Sequence, residues 1–571
     1  MSKKKKHTLF WLGVNLVCWT VIIVLTRDLI LKLQEQANRP IFAQELSMEH
    51  NKYGDYLVGL MAKRNHDYTL MSQSFKNALT KDPDNLKLKK NVYLLKALRG
   101  EIADVLPLAK DLGKLKQPEL MTDYVLIADL IKNKAYEQAE EALKNKPFYG
   151  TDRVLKPALQ AWLSVGLNKR KAAEQALEPM NTDQSKPLYY YYRALIALAF
   201  QDDLAAEEFF HKMNAESVKG YPSLTAIVFM RDFLQRKNKW KAGLPEYTQY
   251  HAVLDSSRSV QTIVDSLKAP QIITPQIGAA IAFYDISVAL APLKSEESSL
   301  LLNALAIHLV PESSSFKIWT GELLEMSGDH QAANLVYQNI ENKNDIILMK
   351  IVMNLIAMGE YQESLTPLNT LVKHNADDAY LRLLQGDSLL QTKNFADAIQ
   401  AYQIATDIFK KDQNKTAAGH ALFMMAMAYD HSAERNKAEA KLLEALRLIP
   451  DDANTLNYLG YLWLDQRKNI DEAFKMVKKA AEINPTDPNI MDSLALGYYL
   501  KKDYQKALEL AEKSTDQISY SSVAYAHLGD IYAALNRPRE AHYQYRKALD
   551  LTADITPALK AELEKKLNLT R

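Results

Sequence analysis

The fold is decided by residues 523–549, VAYAHLGDIYAALNRPREAHYQYRKAL, which predict two helices, the second beginning near Ala541. The same residue types recur upstream at a fixed interval, because Ala473, Ala507 and Ala541 stand 34 residues apart. Two further pairs repeat the interval, namely Leu494 with Leu528 and Tyr498 with Tyr532. A unit this short cannot bury its own apolar face, so successive units have to stack into a solenoid with a long concave surface.

This interval and these residues resemble the tetratricopeptide repeat (TPR), a pair of antiparallel helices in which a small residue of the first helix allows close crossing. The match is close in the C-terminal third, at Tyr429, Ala438, Leu442, Ala445, Leu459, Gly460, Trp463, Ala473, Ala480, Leu494, Ala507, Leu528, Gly529, Tyr532, Ala541, Tyr545 and Ala548. It is moderate near residues 51–85 and weak between residues 100 and 300. The resemblance implies an all-α superhelical solenoid that binds other proteins in its groove.

Composition excludes several other classes of function. Lys and Arg number 71 against 69 Asp and Glu, and this balance argues against a nucleic-acid binder. The single cysteine, Cys18, allows no disulfide within the chain and no cysteine-based metal site. The sequence contains no P-loop, glycine-rich dinucleotide turn, His-Glu-x-x-His helix or Gly-x-Ser-x-Gly elbow. We therefore predict no catalytic residues, no cofactor and no metal.

The N-terminus has the pattern of a membrane anchor. Four lysines at residues 3–6 precede an uncharged apolar run at residues 9–25, which as a helix would span about 26 Å. We predict a cytoplasmic tail at residues 1–8, a transmembrane anchor at 9–26 and a polar spacer helix at 27–50. In a bacterium this arrangement predicts a single-pass inner-membrane protein with a periplasmic TPR array.

Three alternatives to the anchor stay open for this segment. It could be a cleaved secretory signal, although no small-residue cleavage site directly follows the apolar run. It could be a lipoprotein signal ending at Cys18, although Val17 is larger than that signal requires. The third alternative is a buried helix of a soluble protein. The first two would give a processed periplasmic protein or a lipoprotein.

The array itself is predicted to have two halves. Residues 51–260 form an N-terminal divergent array, and residues 301–571 form a C-terminal array that closes with a polar capping helix near residues 557–569. Between them, Pro270, Pro275 and Gly278 break the period and predict an irregular connection at residues 261–300. The alternative is that divergent repeats continue through this stretch.

The first-helix positions that face the groove are the candidate binding residues. In the last three repeats they include Asn454, Asn457, Tyr461, Asn489, Asp492, Tyr499 and Asp530. Tyrosine and asparagine suit adaptable protein contacts. TPR domains that clamp the carboxylates of chaperone C-termini carry Lys and Arg at such places. The Asn and Asp found here disfavour that role.

Three runs extend the resemblance to a narrower group: LNYLGY at 456–461, IMDSLA at 490–495 and HLGDIY at 527–532. Together they resemble the large TPR-array proteins of proteobacterial envelopes. That group includes a lipoprotein adaptor that brings peptidoglycan hydrolases to a carboxyl-terminal processing protease. The resemblance implies a non-catalytic, membrane-anchored adaptor for an envelope protease or assembly enzyme and its substrates. The alternative functions are a structural scaffold of a secretion or polysaccharide-export complex and, with no persuasive residue arrangement, an enzyme with its site at residues 240–300.

Overall fold

The computed structural model of the chain describes residues 52–569. Within this range it leaves out the segments 65–67, 114–120, 145–151, 217–223, 238–271 and 553–554 and the single positions 184, 294 and 342. All regular secondary structure in this described part is helical. The prediction of an all-α array of helix pairs is confirmed there. The predicted tail 1–8, anchor 9–26 and spacer 27–50 lie outside the described residues.

The chain divides into two compact units, of which the N-terminal unit ends at Glu360 and the C-terminal unit begins at Tyr361. The described helices of the N-terminal unit are α1 (Lys52–Arg64), α2 (Tyr68–Lys81), α3 (Leu86–Leu98), α4 (Ile102–Leu112), α5 (Thr122–Lys132), α6 (Tyr136–Lys144), α7 (Asp152–Gly166), α8 (Arg170–Ala176), α9 (Lys186–Ala199), α10 (Asp203–Glu216), α11 (Leu224–Arg236), α12 (Pro275–Leu290), α13 (Glu296–Leu309), α14 (Ser314–Met326), α15 (His330–Gln338) and α16 (Asp345–Ala357). Short 3₁₀ turns follow α8 and α12.

The C-terminal unit is a simpler series of antiparallel pairs. Its helices are α17 (Tyr361–His374), α18 (Ala379–Gln391), α19 (Phe395–Lys411), α20 (Lys415–His431), α21 (Arg435–Leu448), α22 (Ala453–Asp465), α23 (Ile470–Ile483), α24 (Pro488–Leu500), α25 (Tyr504–Gln517), α26 (Ser522–Ala534), α27 (Pro538–Asp550) and α28 (Pro557–Leu569). The pairs α18/α19, α20/α21, α22/α23, α24/α25 and α26/α27 each pack closely, and α28 packs on α27.

Local sequence sets the ends of these helices. The side chains of Asp452, Asp487 and Ser521 cap α22, α24 and α26 by accepting hydrogen bonds from first-turn backbone N–H groups. At the other end, a residue with a positive φ reverses the chain between the two helices of a pair. Such residues are Lys393, Ala433, Arg467, Lys502 and Asn536. In α18, α22, α24 and α26 the positive-φ residue stands seven positions after the small residue of the first helix. Equivalent positions in different repeats can therefore be found by counting back from the positive-φ residue.

The small residue of the first helix allows the close crossing that the sequence predicts. A Cβ placed on Gly386 would lie 2.5 Å from the Tyr402 ring, and one on Gly529 would lie 2.4 Å from the Tyr545 ring. These distances are well below van der Waals contact, so only glycine allows the two helices to approach this closely. The glycine and the aromatic residue of each pair are therefore packing positions.

In the N-terminal unit, two later helices pack across the first helices of earlier pairs. Helix α12 contacts α5 and α7, and α13 contacts α3 and α5 and also reaches α4. A Cβ on Gly278 of α12 would lie 2.1 Å from the Trp162 ring of α7, so Gly278 is required for this packing. Ring contact between Tyr124 and Phe283, 6.0 Å between centroids, continues the interface. One apolar core extends from Tyr93 to Leu323 as a result.

These helices occupy much of the predicted irregular connection at residues 261–300. Helix α12 begins at Pro275, with Thr274 capping it, and α13 begins at Glu296, so the prolines and glycine of this stretch serve helix starts and close packing. Residues 261–271 lie outside the described part of the chain. The division between the compact units comes later, after Glu360. No helix among the described residues has the length and apolar character needed to span a bilayer.

Candidate protein-binding face of the C-terminal unit

The first helices of the C-terminal unit form one layer. Helix α18 contacts α20, α22 contacts α24, and α24 contacts α26, in addition to the contacts that each makes with its own second helix. In a TPR solenoid this layer is the concave side. We call the surface that these five helices present there the inner face.

Three successive first helices meet at His527 of α26. Its Nδ1 lies 3.0 Å from Oδ2 of Asp492 on α24, and the two side chains are only 13% and 10% exposed. The ring of Tyr461 on α22 lies 6.3 Å from the His527 ring, measured between centroids. A polar pair and an aromatic ring thus link residues that are 66 positions apart in the chain.

Electrostatics favour the charged form of this histidine. Burial alone would lower the pKa of His527, but the Asp492 carboxylate, with Asp530 and Asp465 acting more weakly, holds that pKa above its ordinary 6.5. Burial also raises the pKa of the Tyr461 hydroxyl, which stays protonated and available as a donor. The cluster therefore pairs an imidazole with carboxylates that favour its protonated form.

Next to this cluster, a shallow depression is lined by Leu496, Tyr499, His527, Asp530 and Ile531. Asp530 accepts a hydrogen bond from the Tyr545 hydroxyl at 2.7 Å. Its two carboxylate oxygens also lie 2.7 and 2.8 Å from Nζ of Lys566 on the capping helix α28. The counter-charge of this carboxylate therefore comes from outside its own helix pair.

A second polar cluster lies one repeat upstream. The Tyr458 hydroxyl donates a hydrogen bond of 2.9 Å to Asp430, and Arg435 pairs with Asp430 at 3.5 Å and with Asp465 at 3.0 Å. Carboxylates thus recur along the inner face, each held by a hydroxyl or a cation from a neighbouring helix.

The predicted binding residues divide into two sets. Tyr461, Asp492, Tyr499 and Asp530 are brought together around His527. Asn454 and Asn489 are exposed near the starts of α22 and α24, and the buried Oδ1 of Asn457 has no hydrogen-bond partner within the described residues. Among the described residues, no side-chain hydrogen bond joins these three asparagines to the cluster.

The sequence prediction missed His527 and Lys566, which complete the cluster. His527 lies one helical turn before Asp530, a spacing that could have suggested a shared face. Lys566 carried no such signal, because it lies in a capping helix outside the repeat. The described residues contain no group of three or more His, Cys, Asp or Glu side chains arranged to bind a metal. The inner face offers hydrogen-bond donors, acceptors and aromatic rings, which suit recognition of a polypeptide segment.

Comparison with known proteins agrees with this fold. Residues 349–412 match the sequence profile of the tetratricopeptide repeat. The chain is 26% identical over 213 residues to the TPR repeat-containing protein PA4667 of Pseudomonas aeruginosa, covering 37% of this chain and 35% of that protein. It is 21% identical over 253 residues to the human mitochondrial import receptor subunit TOM70, covering 44% of this chain and 40% of the receptor. The chain therefore spans well under half the length of either relative.

Among solved structures, a chain of the APC/C hetero-tetramer Cut9–Hcn1 is similar, with 13% sequence identity and a TM-score of 0.36. The similarity covers 93% of this chain and 98% of that chain. YrrB, a TPR protein with an unusual peptide-binding site, is similar over 35% of this chain and 99% of its own, with 18% identity and a TM-score of 0.27. At such scores neither likeness carries functional information. The profile match at residues 349–412, taken with the repeated helix pairs, shows that the chain contains tetratricopeptide repeats.

Proposed function

We propose that this protein is a non-catalytic adaptor that binds segments of other proteins on the inner face of its C-terminal unit. The observation that carries the proposal is the meeting of Tyr461, Asp492 and His527, contributed by three successive first helices, beside the depression lined by Tyr499 and Asp530. A ligand lying along this face would contact several repeats at once, as an extended segment does in a solenoid groove.

The choice of the C-terminal unit rests on the difference in packing. In the N-terminal unit, α12 and α13 cover the first helices α3, α5 and α7. The layer of first helices is therefore part of the apolar core there. In the C-terminal unit the corresponding layer carries partly exposed tyrosines and paired charges. Partly exposed aromatic residues of this kind are common anchors of protein interfaces.

The finer part of the proposal concerns location and partner. The lysines at 3–6 and the apolar run at 9–25 support a tether in the inner membrane with the array in the periplasm. The resemblance of residues 456–461, 490–495 and 527–532 to envelope TPR arrays supports an envelope protease or assembly enzyme as the partner. A binding role of the same general class is named for the human relative, an import receptor subunit.

Site-specific photocrosslinking tests this function. A photoreactive phenylalanine analogue would replace Tyr461 or Tyr499 in the full chain within its own cells, and crosslinked proteins would be identified by mass spectrometry. Tyr543 is the matched control, because it is a tyrosine of the second helix α27 with 62% of its surface exposed. We expect both inner-face positions to capture the same protein and Tyr543 not to capture it.

The identity of the captured protein tests the finer proposal. A carboxyl-terminal processing protease or a peptidoglycan hydrolase would support the envelope adaptor. Components of an export complex would support the scaffold alternative. Equal capture from Tyr543 and the inner-face positions, or no capture from the inner face, would contradict the proposed binding face.

A further inference from the structure

Three first helices share a local arrangement that we call the carboxylate module. In each, an acidic residue directly follows the close-packed glycine, and a tyrosine of the paired second helix, 15 residues after the acid, packs on that glycine. The modules are Gly321, Glu322 and Tyr337; Gly386, Asp387 and Tyr402; and Gly529, Asp530 and Tyr545. The tyrosine hydroxyl donates a 2.7 Å hydrogen bond to the acid in the second and third modules.

Two of the three carboxylates receive a lysine from the next helix of the same layer. Glu322 on α14 lies 3.3 Å from Nζ of Lys350 on α16. Asp530 on α26 lies 2.7 Å from Nζ of Lys566 on α28. Both lysines are about three-quarters buried, with 28% and 25% of their side chains exposed. An ammonium group is therefore the partner that this module takes within the protein itself.

The module at Asp387 lacks this cation. Within the described residues, Asp387 forms no ion pair, and its hydrogen bond comes from the Tyr402 hydroxyl. The place that Lys350 fills in the first module can be located by register, because Lys350 stands nine residues before the positive-φ residue Gly359. Met424 of α20 stands nine residues before the equivalent Ala433. A methionine therefore occupies the position of the missing lysine.

The surroundings of Asp387 suit a cation supplied from outside. Asp387 and Met424 are both partly exposed, and α18 contacts α20. Leu383 and Met424 pack against the apolar cluster that contains Tyr402. A long basic side chain can lay its methylene groups on such an apolar rim while its charged end reaches the carboxylate. A partly desolvated carboxylate without a cation also gains more from a ligand's charge than an exposed one does.

We propose that Asp387 binds a lysine or arginine side chain of the partner segment, which takes the place that Lys350 and Lys566 fill in the other two modules. This inference rests on the proposed function, since it assumes that a partner segment lies along the inner face. The inference specifies the chemistry of that segment. One basic residue of the segment pairs with Asp387 of α18, and Tyr461 and Tyr499 contact the rest of the segment.

A selection with random peptides tests the inference. A displayed library of dodecapeptides would be selected on the full chain, and enriched peptides would be synthesised with and without norleucine in place of each lysine or arginine. We expect one basic residue to be shared among the binders. We also expect Asp387→Asn, an isosteric change, to weaken binding about tenfold or more, as loss of a partly buried ion pair does. Asp397→Asn, at an exposed position of the second helix α19, should leave the affinity unchanged.

A second variant guards against loss of binding through misfolding. Met424→Lys would place the missing ammonium within the module, so it should fold and yet lose the same peptides as Asp387→Asn. If peptides depend on Tyr461 and Tyr499 but show no basic preference and bind Asp387→Asn equally, the inference is wrong and the proposed function stands. If no selected peptide is sensitive to Tyr461→Ala or Tyr499→Ala, the inner face is not the binding face and both proposals fail.

Discussion

The two units use the same helix pair in different ways. In the N-terminal unit, α12 and α13 pack onto α3, α5 and α7, so helices far apart in the sequence share one continuous apolar core. In the C-terminal unit, contacts run between sequence neighbours and between successive first helices, and the apolar core consists of several smaller clusters. The first arrangement fills the concave layer with the chain's own side chains. The second leaves that layer lined with polar groups.

The difference shows that the surface left open on the first helices depends on what the chain itself packs against them. Trp162 and Asp492 both belong to first helices, yet one is packed against Gly278 and the other is paired with His527 beside the shallow depression. Mutations in the first layer should therefore reduce stability in the N-terminal unit, but mainly alter electrostatics in the C-terminal unit.

The largest effect is expected for Trp162→Ala. Trp162 is fully buried between α7 and α12, and removal of a buried aromatic side chain costs about 3–5 kcal/mol. Because the surrounding core is continuous, protection against hydrogen exchange should fall throughout α3, α5, α7, α12 and α13. Hydrogen-exchange mass spectrometry measures this directly.

The control for that experiment is Trp463→Ala in α22. Trp463 is also buried, but its cluster extends only over neighbouring repeats. Protection should fall near α22 and stay unchanged in distant helices of the same unit. An equally local loss for Trp162→Ala would contradict the contrast between the two cores.

A gain in stability is expected for Asp387→Asn at neutral pH. Burial raises the pKa of the Asp387 carboxyl to about 6 from 3.8, even though the Tyr402 hydrogen bond opposes the change. Ionisation of this group therefore destabilises the folded state increasingly as pH rises from 3.8 to about 6. The amide should add about 1–3 kcal/mol at pH 7, and this advantage should disappear as pH falls toward 4.

Urea unfolding of both proteins at pH 7 and near pH 4.5 measures this effect. Asp530→Asn is the matched comparison, because its carboxylate has Lys566 as a counter-ion and its loss should destabilise the protein. A loss of stability in Asp387→Asn at pH 7 would show that a cation already satisfies this carboxylate.

A smaller difference in stability is expected between phenylalanine substitutions of Tyr402 and Tyr545, the tyrosines of the Asp387 and Asp530 modules. Tyr545→Phe removes one hydrogen bond from Asp530, which keeps Lys566, so the cost should be about 0.5–1.5 kcal/mol. Tyr402→Phe removes the donor to Asp387 and leaves a partly buried carboxylate in an apolar setting. Its cost at pH 7 should be greater than that of Tyr545→Phe. Equal costs in urea unfolding would mean that Lys566 contributes little to Asp530.

The smallest effect concerns the pH dependence of the His527 cluster. Since neighbouring carboxylates hold the pKa of His527 above 6.5, its contribution to stability is fully present below 6.5 and is lost as pH rises through the folded-state pKa. Asp492→Asn should bring this pKa back toward or below 6.5, and because the amide can still hydrogen-bond a neutral imidazole, the change in stability at neutral pH should stay below about 1 kcal/mol. NMR titration of labelled histidines, with His527→Gln to assign the signal, checks the shift. An unmoved signal would contradict the role of Asp492.

Sequence period predicted the C-terminal unit well because its packing is local. Gly460, Gly529 and Ala541 determine contacts with the neighbouring helix, so a count of residues places them correctly. The same count located Asp492 and Asp530 on one face. It did not reveal His527 as the centre of the cluster, because the pair with Asp492 joins two separate helices.

The N-terminal unit was less predictable for a physical reason. The packing of Gly278 on Trp162 joins helices separated by more than a hundred residues, and such a contact leaves no periodic trace in the sequence. Pro275 and Gly278 suggested an interruption when considered locally. In the structure, Pro275 occupies the first turn of α12, where proline is well tolerated, and Gly278 allows close approach to Trp162.

The lysine that the capping helix gives to Asp530 has a consequence for how such arrays grow. In two of the three carboxylate modules the cation comes from the next helix of the same layer, so the module of the last repeat depends on α28 for its lysine. Duplication of a helix pair just before the cap would give Lys566 to the new last repeat. By the register used above, Asp530 would then face a copy of His527, which stands nine residues before the positive-φ residue Asn536. Lengthening the protein by one repeat would thereby exchange the counter-ion of an existing carboxylate, from a lysine to a histidine, without any change to the residues of its own module.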